Sequence, residues 1–93
     1  MRPELRGGIV VISRQGRDKG RMFVVLCELD ADFVTVSDGD VRPLARPKKK
    51  RRKHLLATGH EMPGLADKIK SGKLRDQEIR KFLEPLKPHP PTD

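Results

Sequence analysis

The stretch from Gly8 to Phe33, GIVVISRQGRDKGRMFVVLCELDADF, limits the possible folds more than any other part of the chain. Four consecutive apolar residues, Ile9 to Ile12, lead into a charged loop with glycines at 16 and 20, and a second, mostly apolar run leaves it from Met22 to Leu29. Both runs are too short for independent helices, and the first is rich in β-branched residues. The pattern therefore predicts two strands joined by a short basic loop. Gly16 and Gly20 stand where such a loop needs positive φ or close backbone approach. The first strand, about Gly8 to Ser13, carries its apolar residues without alternation. That predicts cover on both faces, and hence a lid over one of them.

The next segment, Phe33 to Ser37, alternates Val34 and Val36 with polar residues. Asp38-Gly39 follows as a hairpin signal, with Gly39 as the turn residue and Val41 as the start of a return strand. Strands linked in this way form a meander, which a compact barrel of about five strands needs. Pro43 and Pro47 interrupt the ladder, because proline donates no hydrogen bond. Six cations in succession come next, Lys48 to Lys53, and their mutual repulsion predicts an exposed arm over residues 42–53. His54-Leu55-Leu56 resumes an apolar strand.

After Thr58-Gly59 the periodicity becomes helical over residues 59–86. A first helix is expected from Met62, with Pro63 in its first turn and Leu65, Ala66 and Ile69 on one face, stopped by Ser71-Gly72. A second should start at Asp76 as N-cap and align Ile79, Phe82 and Leu83. Neither helix is stable alone, so both are expected to pack on the sheet as its lid. The proline-rich tail, residues 87–93, is expected to be disordered.

Gly8 to Ile12, the turn Gly16-Arg17-Asp18-Lys19-Gly20-Arg21, and Val24, Val25 and Leu26 together resemble the KOW motif of ribosomal proteins and transcription elongation factors. Phe33 to Arg42 and Lys53-His54-Leu55 are similar to the continuation in the archaeal and eukaryotic ribosomal protein L fourteen e family and its L twenty-seven e relatives. The resemblance spans about residues 6–57. It implies a mainly β fold, a small SH3-like KOW barrel over residues 1–58, with the two short C-terminal helices outside its reach. It further implies a ribosomal or ribosome-associated protein of the cytoplasm that binds ribosomal RNA.

Charge points the same way. Lysine and arginine number 21 against 13 acidic residues, a formal net charge of +8 that predicts a polyanionic partner. The candidate phosphate contacts are Arg14, Arg17, Lys19 and Arg21 in the turn, and Arg42, Arg46, Lys48, Lys49, Lys50, Arg51, Arg52, Lys53 and His54 in the arm. Trp and Tyr are absent, and Phe23, Phe33 and Phe82 fall in apolar patterns expected to be buried. With no exposed ring to stack on, the protein should read the backbone and shape of folded RNA. Two other readings share these features. One is a protein-interaction module of the transcription or translation machinery, docking ribosomal proteins or translation factors through its helices. The other is a non-specific DNA-binding barrel. Pro47 and the cations after it also fit a nuclear-localisation signal.

Other chemistry finds little support. Cys27, the only cysteine, is expected as a small buried hydrophobe in a reducing compartment. Glu28, Asp30 and Asp32 read as a solvated turn. His54, His60 and His89 lack zinc-like spacing, no phosphate-loop pattern occurs, and no catalytic set is visible. The expectation is a protein that is not an enzyme and uses no cofactor, metal or small-molecule substrate. No apolar stretch reaches membrane-spanning length, and no signal-peptide pattern opens the sequence, so no membrane association is expected.

Overall fold

The structure, a computed structural model of the chain, describes residues 5–87. Five strands form one antiparallel sheet: β1 (Ile9–Ser13), β2 (Met22–Glu28), β3 (Phe33–Ser37), β4 (Lys48–Arg51) and β5 (Leu55–Glu61). Their order is β4-β3-β2-β1-β5, a meander whose last strand returns beside the first. Two short helices follow, α1 (Leu65–Lys70) and α2 (Asp76–Leu83). No described helix is long and apolar enough to cross a membrane.

The sheet is strongly curled. Its two edge strands, β4 and β5, are joined only by the 3-10 turn Arg52–His54, so the edges must approach at that corner. Lys50 on β4 also places its Nζ 3.4 Å from Ser13 Oγ on β1, three strands away. In a flat sheet three strand spacings amount to ~14 Å, beyond the reach of both side chains.

Curling divides the apolar residues between two cores. Val11, Phe23, Val25, Val34, Val36 and Leu55 fill the concave face, with Leu5 laid across them. Val10, Met22 and Val24 point the other way and pack against Leu65, Ile79 and Leu83 of the helices. Val10 and Val11 are both fully buried, which is why β1 needs apolar residues at successive positions. α2 and Leu65 of α1 are the lid that this pattern called for, but Ala66 and Ile69, expected on the same face as Leu65, are exposed.

Several elements depart from the sequence reading. Val41 starts no strand, because Asp38 Oδ1 accepts the N–H groups of Asp40 and Arg42 (2.9 Å each) and turns the chain away. Residues 38–47 form a connection instead, and the return strand begins at Lys48. The basic run is thus in large part a strand, with Val34 opposite Lys50 and Phe33 opposite Arg51, and not a free arm. Cys27 is exposed rather than buried, since a register shift between Val25 and Cys27 breaks the alternation of β2. Phe33 is only half-buried, and Leu5, ahead of the first strand, belongs to the concave core.

At the C-terminal end, β5 runs past Thr58-Gly59 to Glu61, and α1 starts at Leu65, leaving Met62 as a buried contact of the outer core. Asp76 is the first residue of α2 and not its cap; its carboxylate accepts the Leu44 N–H at 2.8 Å and ties the 38–47 connection to the helix. The tail expected over 87–93 lies, beyond Lys87, outside the described residues.

Candidate nucleic-acid interface

The basic turn between β1 and β2 is a closed structure. Ser13 and Arg21 continue the hairpin through Ser13 N–H to Arg21 O (2.9 Å), and Gly20 N–H donates to Ser13 O (2.8 Å). Gly16 and Gly20 take φ of +82° and +86°, values that side chains beyond glycine rarely accept, and the loop folds back on itself there. This tight return places Asp18 inward, where it is only 4% exposed.

Asp18 is the junction of the two basic segments. Its Oδ2 lies 3.3 Å from Lys50 Nζ and accepts a hydrogen bond from Arg42 Nη2 at 3.2 Å. Burial works to raise the Asp18 carboxyl, but the hydrogen bonds and charges of Lys50 and Arg42 outweigh it and hold the group below its ordinary value. Lys50 is itself buried. Two of the candidate cations are therefore engaged within the protein, and Arg42 Nε is buried without a hydrogen-bond partner.

Strand geometry sorts the other cations. Successive residues of β4 point to opposite faces, so Lys50 turns into the concave side while Lys49 and Arg51 share the other face with Phe33. Lys49 Nζ lies 4.4 Å and Arg51 Cζ 4.9 Å from the Phe33 ring centroid, both within cation–π range. The ring supports two exposed cations, so its half-exposure has a use that its apolar setting in the sequence did not reveal. Alternation also keeps consecutive charges apart, which lets a run of lysines form a strand.

Arg52 is held more firmly than any other cation of the run. Its Nη1 and Nη2 both donate to Glu28 Oε1 (3.2 Å), and Nε and Nη2 donate to Asp30 O (3.1 and 2.9 Å). The Asp30 carboxylate is occupied in turn by the N–H groups of Asp32 and Phe33, which hold it below its ordinary value. The acidic turn is exposed, as expected, but it also fixes a guanidinium.

Arg14 brings the two segments together a second time. Its N–H donates to His54 O at 2.7 Å, and it shares with Arg51, Arg52 and Lys53 a cavity of about 410 Å³ whose walls include Leu55 and Leu56. Arg17, Lys19 and Lys53 are exposed, Lys48 and His54 half-buried. Among the described residues, Arg14, Arg17, Lys19, Lys49, Arg51 and Lys53 form no salt bridge, although the charge of Lys49 helps to lower the Asp30 carboxyl. Arg21 faces away from this corner toward Asp38, at 3.9 Å, and Arg46 stays on the 38–47 connection, its N–H closing a turn onto Pro43 O (2.9 Å). Gly39, at φ +73°, sits against α2, its carbonyl accepting from Arg80 Nη1 at 2.7 Å.

Asp18, Ser13 and Phe33 were missed as members of the site. The signal for Asp18 was present: it is the one anion in a loop of four cations. No family model matches the chain, and no curated protein is significantly similar to it.

Proposed function

We propose that the chain is a non-catalytic RNA-binding protein that grips structured RNA, most directly ribosomal RNA, through its phosphates, as a cytoplasmic ribosomal or ribosome-associated component. One observation carries this reading: Asp18 and the His54 carbonyl tie the β1–β2 turn to β4 and the corner after it, so that two basic segments distant in sequence lie on neighbouring elements. Asp18 removes Lys50 and Arg42 from the contact set, while Arg14, Arg17, Lys19, Lys49, Arg51 and Lys53 remain exposed. Fixed cations of one sign are what a folded polyanion, with crowded phosphates, binds best. The curled sheet, its two edge strands joined through a 3-10 corner, is compatible with an SH3-like KOW barrel, and the motif resemblance favours RNA over duplex DNA. Ile79, Phe82 and Leu83 of α2 and Leu65 of α1 pack on the sheet, which leaves the helix-docking reading only the exposed Ile69 of α1.

The test is a salt titration. Six cations each neutralising one phosphate give a log affinity against log salt slope on the order of −4 to −5. A folded RNA hairpin should show that slope and outcompete duplex DNA of equal length. A slope near zero would overturn the reading, and a preference for duplex DNA would transfer it to the chromosome.

A further inference from the structure

We propose that the cavity at the Arg52 corner accepts a single unpaired nucleotide extruded from the bound RNA, an inference that rests on the RNA-binding reading above. Its 410 Å³ falls within the about 300–1,000 Å³ of small-ligand sites, far too little for a helix but suited to one base and its sugar. The walls have a composition that phosphate binding alone does not call for. Leu55 and Leu56 line the cavity, and Leu56 is 53% exposed amid cations, an apolar surface left open to water. A base offers such a surface its own flat apolar face.

Arg52 lines the same cavity. Its guanidinium edges are already bonded to Glu28 Oε1 and Asp30 O, so it is poorly placed to clamp a phosphate. Those same bonds lock the plane in place, and a fixed guanidinium plane stacks on a base as an aromatic ring would. Arg14, Arg51 and Lys53, which also line the cavity, carry the positive charge that the nucleotide's phosphate meets. Asp32 adds an acceptor for an exocyclic amino group. Recognition of an unstacked base thus needs no Trp or Tyr here, and the expectation that only backbone is read gives way at this corner.

The experiment compares two RNA hairpins at fixed salt, one fully paired and one with a single bulged adenosine, against the full chain and its Arg52→Lys and Leu56→Thr variants. The bulged hairpin should bind about tenfold more tightly, within the range for one stacked base. Arg52→Lys keeps the charge and loses the plane; Leu56→Thr keeps the strand and loses the apolar wall. Each should abolish the preference while leaving the salt slope on the paired hairpin unchanged. Equal wild-type affinity for both hairpins would overturn the pocket and leave RNA binding intact, as would a preference that survives both substitutions. Failure to bind either hairpin would remove the RNA-binding reading itself.

Discussion

Asp18 and Lys50 form an ion pair at 3.3 Å with side chains only 5% and 10% exposed, and it fastens the β1–β2 turn to the edge strand of the sheet. A buried pair contributes little against a well-packed apolar substitute, but removing one partner strands the other charge. Asp18→Asn leaves both Lys50 and Arg42 without their counter-charge and should cost about 3 kcal/mol, the lower end for a broken buried pair. Lys50→Met should cost less, because Asp18 keeps Arg42. Urea unfolding of the two variants checks the order; equal losses would show that Arg42 contributes nothing.

Acid stability follows from the same carboxylate. Asp18 is held below its ordinary value of 3.8, so the folded state favours its charged form. Its contribution is complete above that ordinary value and is lost as pH falls through the lower folded one. Unfolding free energy measured from neutral pH downward should therefore decline below about pH 4. In Asp18→Asn the decline should be shallower, with the part due to Asp30 remaining. An acid limb unchanged by the substitution would contradict the assignment.

What the sequence disclosed, and what it hid, divides along local and cross-strand lines. Val10 and Val11, adjacent and both apolar, already required cover on two faces, and Leu65, Ile79 and Leu83 supplied it from helices whose spacing was visible. Lys50 was not legible: in a row of six cations it reads as solvated, and its burial depends on Asp18, which only the curl of the sheet brings near. Cys27 was misread for a related reason, since a register shift is a property of two strands together. Asp76 has the sequence position of a helix cap, yet Leu44 N–H, distant in sequence, claims its carboxylate.

Two glycines test the connection between sheet and helix. At Gly39 a Cβ would run into the Asp76 carbonyl oxygen, at a backbone φ of +73°. At Gly20, φ +86°, a Cβ would meet nothing within 4 Å. Gly20→Ala should cost only the left-handed backbone penalty of about 1–2 kcal/mol. Gly39→Ala should lower thermal stability clearly further, since α2 must move. Comparable melting temperatures would argue that α2 is not seated on this turn.

Leu83 measures the lid itself. It is fully buried between α2 and the outer face of the sheet, so Leu83→Ala should cost about 2–5 kcal/mol through lost transfer energy and the cavity left behind. Leu29→Ala, on an exposed leucine of the β2–β3 turn, is the control and should change little. Equal effects in denaturant titration would mean that the helices do not cover the sheet in solution.

The most direct measurement is the salt slope of RNA hairpin affinity for two double variants, Arg17→Gln/Lys19→Gln in the turn and Lys49→Gln/Arg51→Gln on β4. An interface built from both segments predicts that each pair flattens the slope by about 1.4–1.8, at close to 0.7–0.9 per phosphate contact. If either pair leaves the slope at its wild-type value, the two segments do not form one RNA-binding surface.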